Sequence, residues 1–340
     1  MEPVSTSWAQ FFEPGTPVVA LPDWEKPRLL LPASAEQLWA KTAFYPAFRR
    51  TARLYRAYLR TRAALGLLRT RIADSASSPL APFLAEVLPE VKTVVALAGA
   101  QKTILQLWDG QGRVAGYLKF ARSRVARRRL AVEHRLLNSV PGGQAPRVLK
   151  WGPLGDGDGL LLAPVSGHTL PASLPVPPGV DRLPGALVVS EPAPIDAHPF
   201  AAELAGQNSF ELGFLLERLG GRRWPVVARH GDYAPWNILA SRQGRISALD
   251  WEYGSLAGLP GLDIAYYILR VGHFIYRWTP PRAAAYAASH LEKRAGFRRS
   301  EAAALVRLAA WLAYRDSVED AVAHDAPLRA WLRAVWEKEN

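Results

Sequence analysis

The chain has 340 residues, of which 49% are apolar and 21% charged, a balance that is typical of folded proteins and excludes a disordered chain. It contains no cysteine, which excludes disulfides, thiolate metal sites and cysteine nucleophiles. No stretch approaches the roughly 18 to 20 apolar residues of a membrane span. The first residues lack the basic and apolar regions of a secretory signal, so we expect the cytoplasm or the periphery of a membrane.

The net charge of +12 comes mainly from two arginine-rich stretches, residues 48–71 and 122–129. Such stretches are either solvated helix faces or a surface for anionic lipid, phosphorylated substrate or nucleic acid. No zinc-finger spacing, aromatic RNA-binding strand or other nucleic-acid module is present, so no nucleic-acid partner is expected. The basic helix 48–71 is predicted to contact an anionic membrane surface.

The first 90 residues are predicted to form a helical and irregular N-terminal extension. Residues 1–40 are rich in Pro and Trp and lack steady periodicity, which indicates an irregular arm. Residues 47–71 carry apolar side chains at steps of three and four, which predicts a helix. A short helix is expected within 78–90, before Pro89.

Residues 91–165 are predicted to form a small β-rich lobe. Three short runs, 91–99, 102–109 and 114–121, are rich in β-formers and separated by tight connections, which indicates antiparallel strands. A helix is expected over 122–140, followed by two more strands.

Residues 166–340 are predicted to form a larger helical lobe. The proline-rich segment 171–200 indicates an irregular connection, whereas 199–220 resumes helical spacing. Helical patterns also dominate from residue 260 onward.

Chemistry-bearing residues concentrate in the stretch "RHGDYAPWNILA", residues 229–240. Asp232 and Asn237 have the Asp-x-x-x-x-Asn spacing that places a base and a metal ligand on one catalytic loop. Asp250 follows the strand-like run "RISALD" and offers a second carboxylate. Phosphoryl transfer needs a carboxylate that orients the attacking hydroxyl, and Mg²⁺ held by hard oxygen ligands. This group of residues therefore favours a phosphotransferase.

The motifs "HGDYAPWNIL" and "LDWEYG" resemble those of the aminoglycoside phosphotransferase and choline kinase family, protein-kinase-like kinases of small molecules. The resemblance implies an α+β, two-lobed fold with a small antiparallel β lobe and a larger helical lobe, here preceded by the N-terminal extension. It implies that Asp232 is the catalytic base and that Asn237 and Asp250 bind Mg²⁺. His230 is interpreted as a packed structural residue, and Asp263 as an N-cap that supports the catalytic loop.

The same resemblance implies an ATP site. Lys119, in the predicted third strand, would be the cation on the phosphates, and Glu133, on the following helix, would be its partner. Gly99 is the one glycine of the expected phosphate loop, which lacks a glycine-rich repeat. Pro164 has no N–H to donate, so the adenine contacts are assigned to the acceptor Ala163 and the donor Val165.

Asp-Trp-Glu stands where common protein kinases have Asp-Phe-Gly, and Ala-Pro-Glu is absent, which favours a small-molecule acceptor. The expected activity is ATP- and Mg²⁺-dependent transfer of the γ-phosphoryl group to a hydroxyl of a sugar, amino-sugar or related metabolite. Glu252 is interpreted as a water-mediated or substrate-facing group. The alternative is a kinase-like binding or scaffold protein, associated with membranes in surface polysaccharide assembly. A metallophosphatase would need clustered His and Asp ligands, and the seven histidines are scattered.

Overall fold

The computed structural model describes residues 8–33, 50–65, 67–73, 77–99, 101–140, 143–205, 210–320 and 325–337. The chain divides into two compact units. The first contains residues 1–130 and 147–164, and the second contains residues 131–146 and 165–340. Among the described residues, no helix has both the length and the apolar character that crossing a bilayer requires.

The first unit is built on one eight-stranded sheet. Its strands follow the order β3-β1-β2-β4-β5-β6-β8-β7, and every pairing is antiparallel. The strands are β1 (Pro17–Leu21), β2 (Leu29–Pro32), β3 (Thr70–Ile72), β4 (Val91–Ala98), β5 (Lys102–Asp109), β6 (Val114–Ala121), β7 (Val148–Leu154) and β8 (Gly157–Leu162). The helices of this part of the chain are α1 (Arg50–Ala64), α2 (Leu80–Leu84) and α3 (Arg124–Leu137), which continues into the second unit.

The central strands agree with the sequence-based expectation. The predicted runs 91–99, 102–109 and 114–121 form β4, β5 and β6, and the predicted helix over 122–140 forms α3. Alternating side chains divide the buried residues between two faces, as the two-residue period of a strand requires. Val18 and Ala20 belong to one apolar cluster, and Val19 and Leu21 to the other.

The N-terminal extension contains helices α1 and α2 within the predicted helical stretches 47–71 and 78–90, but the segment predicted to be an irregular arm contains strands of the sheet. Strands β1, β2 and β3 form one side of the sheet, and β2 pairs with β4 in the register Leu29 to Leu97. Helix α1 lies in this segment, with Leu59 buried in the apolar cluster of Leu29 and Leu31. Strands this short carry little periodic signal in the sequence, so local patterns do not predict them. Their pairing within the sheet stabilises them.

The second unit combines two three-stranded sheets with helices. One sheet has the order β10-β11-β14 and the other β13-β12-β9. The strands are β9 (His168–Thr169), β10 (Val188–Pro194), β11 (Arg223–Arg229), β12 (Ile238–Ala240), β13 (Ile246–Ala248) and β14 (Ser255–Gly258). The helices are α4 (Pro178–Ala186), α5 (Pro199–Leu204), α6 (Phe210–Glu217), α7 (Leu262–Phe274), α8 (Pro280–Ala295), α9 (Arg299–Glu319) and α10 (Ala326–Trp336). An antiparallel sheet followed by a mainly helical part confirms the α+β class.

The proline-rich segment 171–200 is more regular than its composition predicts. It contains α4 and β10, where the sequence indicates an irregular connection. Pro178 occupies the first turn of α4, where a missing N–H costs nothing. Strand β10 is an edge strand with register shifts, a setting in which a sheet tolerates prolines such as Pro192 and Pro194.

Candidate functional site

The candidate catalytic loop begins where the buried strand β11 ends at Arg229. Gly231 has φ of +85°, and a Cβ at this position would lie 2.1 Å from the backbone oxygen of Tyr253. A side chain is therefore excluded both by the left-handed conformation and by the space available. Glycine lets the loop pack directly against the segment that follows Asp250.

His230 is buried, and its backbone partners determine which ring nitrogen carries the proton. Nε2 lies 2.8 Å from the carbonyl oxygen of Leu249, which can only accept, and the backbone N–H of Asp232 donates to Nδ1 at 3.2 Å. These partners place the ring proton on Nε2. The ring centroid also lies 4.6 Å from that of Trp251. Both ring nitrogens of His230 therefore have backbone partners.

Asp263 holds the start of the loop from helix α7. Its Oδ2 accepts from the backbone N–H of His230 at 2.7 Å, and its Oδ1 accepts from that of Gly231 at 3.0 Å. The N-cap position of α7 is Gly261, so Asp263 lies inside the first turn and the expected N-cap is wrong. Its carboxylate instead satisfies two backbone donors of the loop, close to the positive end of the helix dipole.

The side chain of Asp232 is held by one donor on each oxygen. Nδ2 of Asn237 donates to Oδ2 at 2.8 Å and also to the backbone oxygen of Asp232 at 2.9 Å. The hydroxyl of Tyr266, on α7, donates to Oδ1 at 2.5 Å. Two donors from separate elements fix the plane of the carboxylate, and they leave Oδ1 of Asn237 as the atom that could ligate a metal.

The Tyr266 hydroxyl is a permanent donor at neutral pH. Burial raises the pKa of Tyr266 well above its usual value of 10, and the neighbouring charge of Asp232 raises it further, whereas Arg270 opposes the rise. The phenol therefore keeps its proton while it is bonded to Asp232.

A β-hairpin brings Asp250 close to the candidate catalytic loop. Strands β12 and β13 pair from Ile238 to Ala248, and the backbone N–H of Leu249 donates to the carbonyl oxygen of Asn237 at 2.8 Å. Asp250 itself has φ of +68°, a conformation that is uncommon outside glycine and that concentrates at functional sites.

Three carboxylates lie together at this hairpin. Oxygens of Glu133, Asp250 and Glu252 are all within 4.8 Å of one another. Glu133 is fully buried, and its Oε1 accepts from the backbone N–H of Trp251 at 3.2 Å. Carboxylates this close repel each other, so a bound cation would stabilise the arrangement. Hard oxygen donors are the set that Mg²⁺ prefers, and these residues therefore fit a magnesium ion.

The residues assigned to the nucleotide are placed as follows. Lys119 is buried on β6, opposite Ile104 of β5. Gly99 follows β4, and its backbone N–H donates to the carbonyl oxygen of Lys102 on β5 at 3.0 Å. A Cβ at this position would lie 2.7 Å from the same oxygen, so a side chain has no space there. Ala163 donates its N–H to the oxygen of Arg147 at 2.9 Å, so its carbonyl is the group that could accept from a base. The pairing of Lys119 with Glu133 and the donor role of Val165 stay predictions.

The sequence does not predict the contact of Tyr266 with Asp232 or the position of Glu252 beside Asp250 and Glu133. A signal for Tyr266 was available, because Asp263, Tyr266 and Arg270 recur at the three- and four-residue steps of one helix face. For Glu252 the sequence gives only its position two residues after Asp250. Its approach to Glu133 depends on the fold.

Comparison with known proteins gives structural similarity alone. No family model matches the chain, and no curated protein sequence matches it significantly. The chain is similar to solved structures of small-molecule kinases. One is choline kinase from Cryptosporidium parvum Iowa II, at 14% identity and a TM-score of 0.42, covering 75% of this chain and 90% of that one.

Two further structures are similar to the same extent. Macrolide 2'-phosphotransferase type I matches at 15% identity and a TM-score of 0.43, covering 77% of this chain and 96% of that one. Ethanolamine kinase from Plasmodium vivax matches at 13% identity and a TM-score of 0.42, covering 86% of this chain and 85% of that one.

Proposed function

We propose that the chain is an ATP- and Mg²⁺-dependent kinase with a protein-kinase-like fold, which transfers the γ-phosphoryl group to a hydroxyl of a small molecule. The observation that supports this most is the carboxylate of Asp232. This carboxylate is oriented by Asn237 and Tyr266, and it lies on the loop that packs against the segment after Asp250. A base and an acidic metal site on adjacent segments are what phosphoryl transfer requires.

In this mechanism Asp232 accepts the proton of the acceptor hydroxyl. The hydroxyl oxygen attacks the γ-phosphorus, the bond from that phosphorus to the bridging oxygen breaks, and ADP leaves. Each carboxylate oxygen of Asp232 already accepts one hydrogen bond and has a second lone pair for the acceptor. Asn237 and Tyr266 keep the carboxylate in place, so little reorganisation is needed when the acceptor binds.

Asp250, Glu252 and Oδ1 of Asn237 are the groups that we propose hold Mg²⁺. When bound, the ion neutralises charge on the phosphate oxygens of ATP. Glu133 anchors the segment through the N–H of Trp251 and adds negative charge. Lys119 is proposed as the cation on the phosphates and Gly99 as part of the loop that covers them. Ala163 and Val165 are proposed to contact the adenine.

The decisive experiment is acceptor-dependent release of ADP by the purified full chain, compared with Asp232→Asn. We expect the variant to bind ATP with Mg²⁺ and to lose turnover by about 10²- to 10⁴-fold, as removal of a general base does. Asp196→Asn is a matched control, since this aspartate is exposed and bonds only to the N–H of Ala197 among the described residues. Equal turnover in the wild type and Asp232→Asn would overturn the proposal.

The same assay separates an enzyme from the scaffold alternative. A kinase-like binding protein would bind ATP and show no turnover in the wild type. Magnesium dependence gives a second readout, because Glu252→Gln removes one charge from the carboxylate group and should weaken the Mg²⁺-induced rise in melting temperature of the ATP complex. An unchanged magnesium response would argue against the proposed metal ligands.

We also propose that the protein is cytoplasmic and that its helix α1 contacts an anionic membrane surface. Leu59 anchors the helix to the sheet of the first unit. Apolar side chains next to it are exposed, with Leu54 at 74%, Tyr58 at 54% and Leu65 at 65% of their surface. Exposed apolar groups among arginines are typical of helices that lie in a lipid interface.

A further inference from the structure

Arg270 lies on the same face of α7 as the tyrosine that holds the candidate base. It follows Tyr266 by one helical turn, and its guanidinium carbon lies 5.5 Å from the centroid of the Tyr266 ring. The hydroxyl of that ring donates to Asp232. The cation is therefore close to the position where an acceptor hydroxyl would meet the base.

The guanidinium is enclosed by aromatic rings rather than by carboxylates. Its carbon lies 5.2 Å from the ring centroid of Trp236 and 4.6 Å from that of Phe274. Its Nε is buried and has no hydrogen-bond partner among the described residues, and no carboxylate of those residues lies within ion-pair distance of it. A half-buried arginine with an unsatisfied donor is costly unless a ligand completes its bonding.

Within the described part of the chain, the carboxylates whose charge acts on Tyr266 are those of Asp232 and Asp316. Asp232 accepts from Asn237 and Tyr266, and Asp316 pairs with Arg315 at 3.0 Å. Their partners are therefore groups other than Arg270.

Positive charge extends beyond Arg270 along the end of α7. Burial lowers the pKa of His273, and the charges of Arg270 and Arg277 lower it further. The imidazole thus lies in a region of positive potential, which disfavours its own protonation. The same potential attracts an anion and repels a cation.

We propose, on the basis of the kinase function above, that the phosphate acceptor carries an anionic group, a carboxylate or a phosphate, which pairs with Arg270 while a hydroxyl of the same molecule meets Asp232. The planar guanidinium matches both anions through two parallel N–H donors. Trp236 and Phe274 provide apolar contact around the ion pair and exclude water from it, which strengthens the attraction. A cationic acceptor would be opposed by the same arginine.

Calorimetric binding to the full chain loaded with ADP and Mg²⁺ tests this proposal. The probes are gluconate for a carboxylate, glucose 6-phosphate for a phosphate, glucose for the neutral parent, and choline for a cation. We expect one of the two anions to bind more tightly than glucose or choline, and the pair of anions distinguishes the two sources of negative charge. Arg270→Gln should weaken that binding by about 10-fold or more, because a charge-assisted pair is lost.

Two variants keep the result interpretable. Arg270→Lys retains the charge without the planar fork and should give intermediate affinity. Arg282→Gln is the matched control, since Arg282 is an exposed residue of α8 that stacks over Trp278 at 4.9 Å, and this variant should bind the anion as the wild type does. Absence of anion binding, equal binding by Arg270→Gln and wild type, or tighter binding of choline would overturn the inference.

Failure of the kinase proposal has a different signature. It would appear as absence of ATP turnover with every acceptor, while anion binding by wild type and Arg270→Gln is still measured directly. Anion selectivity without turnover would support the recognition of an anion by Arg270 and would favour a binding protein.

Discussion

The hydroxyl of Tyr266 and the Oδ1 of Asp232 are joined by a hydrogen bond of 2.5 Å between helix α7 and the candidate catalytic loop. This bond adds a second donor to the carboxylate, whose other oxygen accepts from Asn237 within the loop itself. The orientation of the candidate base therefore depends on the packing of α7 as well as on the loop sequence.

Tyr266→Phe should lower kcat about 10-fold and leave the KM for ATP nearly unchanged. A hydrogen bond to a charged group contributes about 1.5 to 3 kcal/mol, and here that energy orients Asp232. Tyr267→Phe is the matched control, because its hydroxyl bonds to the backbone of Ser173 at 3.5 Å, outside the loop. Steady-state kinetics of both variants measure this effect, and equal kcat values for the two variants would exclude an orienting role for Tyr266.

Gly231→Ala should destabilise the protein far more than Gly244→Ala, although both glycines have positive φ. Gly244 has open space where a Cβ would lie, so alanine costs only about 1 to 2 kcal/mol of left-handed strain. At Gly231 the Cβ would also displace the backbone of Tyr253. Urea unfolding measures both free energies, and similar losses would show that the loop can move away from the segment after Asp250.

The free energy of unfolding should fall as the pH rises from about 10 to 12. Burial raises the pKa of Tyr267 from 10.0 to about 12, so the unfolded chain releases this proton before the folded protein does. Over that range the unfolded state binds fewer protons, and stability decreases by up to about 1.4 kcal/mol per pH unit for this group. Tyr267→Phe should reduce the slope measured by denaturant titration between pH 9 and pH 12, and an identical slope would contradict the assignment.

Replacing Arg56, Arg60 and Arg62 of α1 with Gln should weaken binding to vesicles that contain anionic lipid. Each basic residue near such a surface contributes about 1 kcal/mol, so the loss should be large and should depend on salt. A control variant changes the exposed Arg242, Arg282 and Arg294, which removes the same charge from the other unit. Sedimentation with vesicles gives the readout, and unchanged binding of the α1 variant would refute the membrane proposal.

Much of the candidate site could be predicted because its residues are close in sequence. Asp232 and Asn237 lie on one loop, and their contact follows from the short 3-10 turn Pro235–Asn237 between them. The strands β4 to β6 were also predictable, since each is eight residues long with clear connections.

The missed features depend on contacts between distant parts of the chain. Glu133 reaches the segment of Trp251 across 118 residues, and Tyr266 reaches Asp232 across 34. Strands β1 to β3 are short, and their pairing with β4 supplies a stability that no local pattern carries. In the segment 171–200, Pro178 lies at a helix start, and Pro192 and Pro194 lie in an edge strand, two positions that composition alone cannot distinguish from a loop.

The pairing of β2 with β4 affects how the protein can be shortened. A fragment that begins at residue 91 would retain the residues of the candidate site but would turn β4 into an open sheet edge. It would also uncover the apolar face that Phe11, Phe12 and Leu30 protect. Unpaired edges with exposed apolar side chains promote self-association. The described residues before 91 therefore protect the sheet against aggregation, and a shortened chain should keep them.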